Sequence, residues 1–250
     1  MTLPKNTFEN YLSRSYPNCT VQHYGNIWDG ICQCGYKFSI SYLISYGSSW
    51  NYSKKFLEKV TRFKSLFLSG NYIGNSPEFL SKLNHLVQLS LIDYPNFEFK
   101  FMKNFSKLEI LEISELKIKN LEDIEYLRNL KTLIISEISK LEDISSISLL
   151  KLKTLSLVVC NKIKNLTPIG KILTLKDFSI ETKVINNVKF LSNLKALEVL
   201  NISAKVEDKD FNSLLKLKNL KEFSTKKRNL CKNQKIELEL ALPKCKIELY

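Results

Sequence analysis

Histidine, glycine and proline are all scarce in this chain. Its 250 residues include two histidines, His23 and His85, seven glycines and six prolines. With so little histidine, no G-x-S-x-G turn and no glycine-rich phosphate loop, acid–base, nucleophilic and nucleotide chemistry have almost nothing to stand on. Low glycine and proline exclude a collagen-like, linker-like or low-complexity chain. No run approaches the roughly 18 apolar residues of a membrane span. The opening MTLPKNTFENYLSRSYPNC has no apolar core of the kind a secretory signal carries. The composition, 44% hydrophobic and 25% charged, is that of a folded soluble protein. The expectation is a cytoplasmic protein with reduced thiols, no cofactor and no catalytic residues.

Six cysteines occur, at Cys19, Cys32, Cys34, Cys160, Cys231 and Cys245. Cys19, His23, Cys32 and Cys34 fall close enough in sequence to consider a structural zinc. The spacing argues against one. Cys-x-Cys on a strand turns both thiols to one face, whereas zinc knuckles use two to four intervening residues. No metal is therefore expected, and buried free thiols are the default.

The net charge is +13. A basic total suits nucleic acid or an anionic membrane, but it also follows from a lysine-rich, asparagine-rich composition. Where the charges fall along the fold has to decide. Five Asn-x-Ser/Thr sequons, at Asn18, Asn51, Asn104, Asn165 and Asn201, are read as a by-product of abundant asparagine.

What the chain has in abundance is a repeat. From Leu108 it reads LEILEISELKIKNLEDIEYLRN, then LKTLIISEISKLEDISSISLLK, then LKTLSLVVCNKIKNLTPIGKILT. The phrase is anchored at Phe63, Leu86, Leu108, Leu130, Leu152, Leu175, Leu197 and Leu220, at gaps of 22 or 23 residues. The fourth and sixth residues of each phrase are also apolar, as in Leu111/Ile113 and Leu155/Leu157, fading to Phe223/Thr225. Such alternation predicts a short strand with one face buried. The second half of each repeat spaces its apolar residues by three, as in Ile118, Leu121, Ile124 and Leu127, which predicts a 3₁₀ or irregular turn. Glu122/Asp123 and Glu142/Asp143 recur there within Leu-Glu-Asp-Ile and are read as solvated turn residues.

The phrase L-x-x-L-x-L resembles that of the leucine-rich repeat family, and its 22-residue length resembles the internalin-like subclass. The resemblance runs from about Phe63 to Thr225. It implies an α/β, right-handed solenoid with a parallel β-sheet on the concave face and short 3₁₀ or irregular turns on the convex face. The family's Asn/Cys ladder slot is filled by Asn71 and Cys160 only. Elsewhere it holds Tyr94, Leu116, Ile138, Lys183, Lys205 and Arg228, which implies an incomplete loop ladder.

Three segments follow: residues 1–60 as an aromatic-rich N-terminal cap, 61–228 as a solenoid of about eight repeats, and 229–250 as a C-terminal cap. Within the first, Asp29-Gly30 is a plausible two-residue hairpin turn. SKKFLEKVTRF reads as a short helix leading into the repeats. In the last, a short helix from Asn229 precedes LPKCKIELY, where Ile247 and Leu249 alternate with polar neighbours as an edge strand.

The resemblance also implies which residues line the concave face. The partner-binding set is Ser90, Ile92, Asp93, Ile110, Glu112, Glu115, Thr132, Ile134, Glu137, Ser156, Val158, Asp177, Ser179, Glu181 and Asn201. The outward slots carry seven acids, six of them in that set and the seventh Glu222, and only two basic residues, Lys226 and Lys227. Phosphate binding needs clustered lysine and arginine, so nucleic acid is disfavoured on this face. Acids beside aliphatics suit a protein partner with a basic segment. The expected function is a non-enzymatic protein-interaction module: an adaptor, inhibitor, or immunity or antitoxin-like blocker. A secreted bacterial effector binding host proteins is a variant of it. The other readings are a basic convex and C-terminal surface binding nucleic acid or anionic membrane, and an enzyme within the first 60 residues. Lys131, Lys153, Lys176 and Lys221 share the second slot, a flank position.

Overall fold

In the computed structural model the described residues begin with three strands given by their backbone, β1 (Cys19–Tyr24), β2 (Ile27–Cys32) and β3 (Lys37–Leu43). They continue with residues 64–69, of which 66–69 are given by backbone, residue 81, and residues 83–250 except 95. Phe63, Asn71, Cys34 and SKKFLEKVTRF lie outside them, as do the side chains of Cys19, His23 and Cys32, so the zinc question falls there too.

The repeats supply β4 (Ser65–Ser69), β5 (Gln88–Ile92), β6 (Ile110–Ser114), β7 (Thr132–Ser136) and β8 (Thr154–Val158). They continue with β9 (Asp177–Ile185), β10 (Val199–Val206) and β11 (Glu222–Thr225), and β12 (Lys246–Leu249) follows. All twelve strands form one sheet in sequential order. The first two pairs, β1–β2 and β2–β3, are antiparallel. Every later pair is parallel, from β3–β4 to β11–β12. Parallel neighbours in sequence order require a crossover per repeat, and these wind right-handed. The result is a right-handed solenoid with the sheet on its inner face.

The register carries the sequence phrase intact. Leu111 pairs Leu133, Leu133 pairs Leu155, and Leu155 pairs Phe178. Leu200 and Phe223 continue the row to Ile247. The anchors Leu86, Leu108, Leu130, Leu152, Leu175, Leu197 and Leu220 are all buried, as are the apolar fourth and sixth positions from β5 to β11. On the return side the three-residue spacing forms 3₁₀ turns, at Phe99–Met102, Ile124–Tyr126, Ser145–Leu149, Thr167–Lys171, Lys189–Asn193 and Asn212–Lys216. In a 3₁₀ turn residues three apart eclipse, so one apolar row faces the core. Gly170 in that series has no room for a Cβ, which would run into the carbonyl oxygen of Phe190 in the next repeat.

Most of these turns open on an Asx residue whose carboxylate or amide oxygen accepts the backbone N–H two residues on. Asn120, Asp143, Asn165, Asn187 and Asp210 do so, toward Glu122, Ser145, Thr167, Lys189 and Asn212. The hydroxyl and backbone N–H of Ser145 hold the Asp143 carboxyl below its usual range. This corrects the reading of the two Leu-Glu-Asp-Ile strings as one recurring element. Asn120 bridges Asp143, so Asp143 is the counterpart of Asn120 and not of Asp123. Asp123 instead adopts a left-handed conformation before its turn, with φ of 70°. The strings look alike but sit three residues out of phase.

Strand ends follow a second rule. Asp93, Glu115, Glu137 and Val159 occupy the same place after β5 to β8, each left-handed, with φ of 47°, 57°, 55° and 54°. Each donates its backbone N–H to the next strand: to Ser114 O, Ser136 O, Val158 O and Glu181 O. The residue that follows each one turns inward, and Tyr94, Leu116, Ile138 and Cys160 are buried. Cys160 donates its thiol to the carbonyls of Ile135 and Val158 at 3.8 and 3.5 Å. In β9 and β10 the strand runs on instead, burying Ile185 and Val206 and leaving Lys183 and Lys205 outside. The register shifts between Ser203 and Lys205.

The last ladder position corrects the sequence reading. Arg228 is exposed, and the ladder residue is Asn229, fully buried. Its Oδ1 accepts from Val206 N at 3.0 Å, and its Nδ2 donates to Ala204 O at 2.7 Å and Thr225 Oγ1 at 2.8 Å. Asn229 closes a 3₁₀ turn, Lys227–Asn229, and the helix begins later, as α1 (Lys232–Ala241). Gln234 ties that helix down by accepting from Cys231 N and donating to Lys209 O. Asp29 and Gly30 also require correction, because they lie inside β2, opposite Gln22 and Val21. The β1–β2 pairing instead closes with Tyr24 opposite Ile27.

Two stability outcomes follow from these strand ends. Asn229→Leu strands buried backbone groups of Val206 and Ala204 and is expected to cost about 2–4 kcal/mol in urea unfolding. Val159 is β-branched, exposed and left-handed, where other repeats hold Asp or Glu. Val159→Asn is expected to stabilise by about 1 kcal/mol in the same measurement; a loss of stability would show that the valine is not strained.

Candidate binding face

Strands alternate their side chains, so the parallel register sets the outward residues in rows across the sheet. One row runs Gln88, Ile110, Thr132, Thr154, Asp177, Val199, Glu222, Lys246. The middle row runs Ser90, Glu112, Ile134, Ser156, Ser179, Asn201, Ser224, Glu248. A third runs Ile92, Ser114, Ser136, Val158, Glu181, Ser203. Asp93, Glu115 and Glu137 form a rim beyond it, at the left-handed strand ends. All fifteen residues of the sequence-derived set fall on these rows or this rim.

Their exposure differs. Glu115, Glu137 and Glu181 are exposed, while Ile92, Ile110, Glu112, Ile134, Ser156, Val158, Asp177, Ser179 and Asn201 are half-buried, outside the core. Ser90 is only 3% exposed and donates its hydroxyl to Glu112 Oε2 at 3.0 Å, so it props the carboxylate from below. The aliphatics do not touch in a single file. Hydroxyl residues separate them, giving a hydroxyl-rich floor with acids at both ends and along the rim.

β12 adds residues that were not singled out from the sequence. Glu248 and Tyr250 extend the face, and the Tyr250 hydroxyl donates to Asn201 Oδ1 at 3.3 Å, reaching across β11. The signal was present: if Ile247 and Leu249 face the core, their neighbours face outward.

The electrostatics of face and flank are opposite. On the flank, Lys131 pairs Glu109 at 2.7 Å, and Glu198 sits between Lys176 and Lys221 at 2.7 and 2.5 Å. Those two ammonium groups bring Glu198 down to about 2. Among the described residues no ion pair involves Asp93, Glu115, Glu137, Asp177 or Glu181. Asp177 shows the consequence. Partial burial, and then the charge of Glu222 two strands away, push its carboxyl up.

The same architecture occurs in solved structures. Internalin C2 of Listeria monocytogenes is 23% identical with a TM-score of 0.60, covering 78% of this chain and 84% of that one. The fold is the leucine-rich-repeat fold. A second Listeria internalin, InlF, is 20% identical at a TM-score of 0.56, with 79% of this chain and 63% of that one aligned. The Toll–Spätzle complex of Drosophila aligns at 12% identity and a TM-score of 0.53, over 87% of this chain and 35% of the other. No family model and no curated protein matches the sequence. The three structural matches share the leucine-rich-repeat fold at identities that carry the architecture and nothing finer. Among the described residues no helix is long and apolar enough to cross a membrane.

The leucine-rich-repeat sheet thus holds Asp177 where its charge is unfavourable. An acid with a raised folded-state pKa lowers stability once ionised, and the penalty disappears as pH falls through that pKa. Asp177→Asn is therefore expected to melt above the parent at neutral pH. The gap should close as pH drops into the ordinary carboxylate range, near about 4. A variant that melts lower at neutral pH would place a stabilising partner on Asp177.

Proposed function

We propose that this protein is a non-enzymatic interaction module whose concave face binds a protein partner through a basic segment. The observation that carries the reading is the charge arrangement. The chain is +13 overall, yet the inner wall gathers Asp93, Glu115, Glu137, Asp177 and Glu181 with no ion pair to any of them among the described residues. Carboxylates aligned on a rigid sheet attract cationic groups and speed their encounter. The half-buried Ile92, Ile110, Ile134 and Val158 supply apolar contact, and the intervening hydroxyls supply donors and acceptors for a peptide backbone. A leucine-rich-repeat arc occurs in the complex of Toll with Spätzle, a protein engaging a protein.

In this reading residues 61–228 form the binding arc and residues 1–60 and 229–250 close its ends, as repeat arrays require. Adaptor, inhibitor, immunity protein and secreted effector are all uses of the same surface. Cys160, Cys231 and Cys245 are free thiols, which suits a reducing compartment and so the cytoplasm.

The test is charge reversal. A partner captured from the native organism is compared on the parent and on the Glu112→Lys, Glu115→Lys, Glu137→Lys variant. Glu115 and Glu137 are exposed and Glu112 is half-buried outside the core, and a circular dichroism melt checks that the variant folds. Like charges juxtaposed across an interface cost several kcal/mol, so affinity should fall on the order of a hundredfold or more. Unchanged affinity would remove the concave face from the binding site.

A further inference from the structure

The lysine excess is not spread evenly over the outside of the solenoid. We propose that the edge at the N-terminal ends of the strands is a docking surface for an anionic phospholipid bilayer, with Leu149 and Leu173 entering the headgroup region. Leu149 ends the turn Ser145–Leu149 and is 69% exposed, and Leu173, just after the turn Thr167–Lys171, is 62% exposed. Their chain neighbours Leu150 and Ile172 are buried, so the two leucines point away from the core. The two turns pack side by side in adjacent repeats, and the two tips flank the same buried turn-end row, Leu149 one residue before Leu150 and Leu173 one residue after Ile172. Tyr126, 43% exposed, ends the turn of the preceding repeat.

The groups around them are cationic. Arg128, Lys151, Lys153, Lys171 and Lys216 are exposed on this edge, and among the described residues none pairs with a carboxylate. The acids nearby are Glu109 and Glu198, both neutralised by flank lysines, and the half-buried Glu125. The opposite edge is different: Glu122, Glu142, Asp143, Asp208 and Asp210 interleave with its lysines.

Charge complementarity requires an anionic occupant, and the leucines choose among anions. A nucleic acid would satisfy the lysines through phosphates but offers nothing to two protruding aliphatic tips, since base stacking uses aromatic and guanidinium planes. A bilayer surface satisfies both. Its phosphates and carboxylates meet the lysines while the tips reach the acyl boundary. Such an edge-on dock leaves the concave face open, so the proposal stands whether or not that face binds a protein.

The experiment is vesicle co-sedimentation of the full chain at low salt. Phosphatidylserine–phosphatidylcholine vesicles are compared with pure phosphatidylcholine, and a duplex oligonucleotide serves as a competitor. Sedimentation with the phosphatidylserine vesicles alone, weakened by salt, is expected. Leu149→Ser with Leu173→Ser should reduce it roughly tenfold, and Lys151→Glu with Lys153→Glu at least as much. The concave-face triple reversal, which adds positive charge away from this edge, should not weaken it. No sedimentation, or sedimentation indifferent to the leucine pair, overturns the proposal. So does an oligonucleotide bound tightly by the parent and equally by the leucine variant, which would assign the edge to nucleic acid.

Discussion

Each repeat here can bury its inward side chains only against the repeats beside it. In the stretch 130–151 fewer than half of the residues are buried, yet all of them must be ordered. Ordering the backbone costs about 1–2 kcal/mol per residue, while burying an aliphatic side chain returns roughly 1.5–3 kcal/mol. A single arch therefore cannot stand alone, and stacking is the condition of folding. That is why the sheet runs in strict sequence order and why Leu111, Leu133, Leu155, Phe178, Leu200 and Phe223 fall in one buried row.

The same condition decides what the outer surfaces can do. Once the inward row is fixed, strand pleat fixes the outward row, and residues far apart in sequence become neighbours at strand spacing. Glu112, Ile134 and Ser156 lie side by side because Leu111, Leu133 and Leu155 do. Charge then sorts by slot. Acids occupy the strand faces and most of the left-handed strand ends, and the second slot holds Lys131, Lys153, Lys176 and Lys221 together with Glu109 and Glu198. A single chain thereby presents an acidic inner wall and a basic edge a few residues apart, with the Lys176–Glu198–Lys221 cluster between them.

The architecture and the inner wall were legible in the sequence because period and alternation are local and are repeated many times. What was not legible depended on phase. Leu-Glu-Asp-Ile recurs at Leu121 and Leu141, but backbone pairing matches Asn120 with Asp143, and only the pairing shows that identical strings play different parts. Asn229 was missed by one residue because its strand end lacks the left-handed residue that sets the count in the middle repeats. Asp29-Gly30 carried a strong turn signal that lost to β pairing on both sides. Tyr250 was missed for a simpler reason: its contact to Asn201 spans 49 residues of sequence.

Two features on the inner wall and its rim run against stability, and both concern groups that a fold alone would not select. Asp177 is held where burial and Glu222 disfavour its charge. Val159 keeps a β-branched side chain in a left-handed conformation, exposed to solvent, where the equivalent positions carry Asp or Glu. Asparagine at either position would relieve the conflict without touching the core. Local strain and unpaired charge persist where something else rewards them, and they gather at sites of interaction. Asp177 lies in an outward row and Val159 follows Val158 onto the rim. These costs fall on the face and rim proposed above to meet a partner, but they are not confined there: Asp123 and Lys209 are left-handed beside the convex turns, with φ of 70° and 50°, and the buried Oε2 of Glu125 has no hydrogen-bond partner among the described residues.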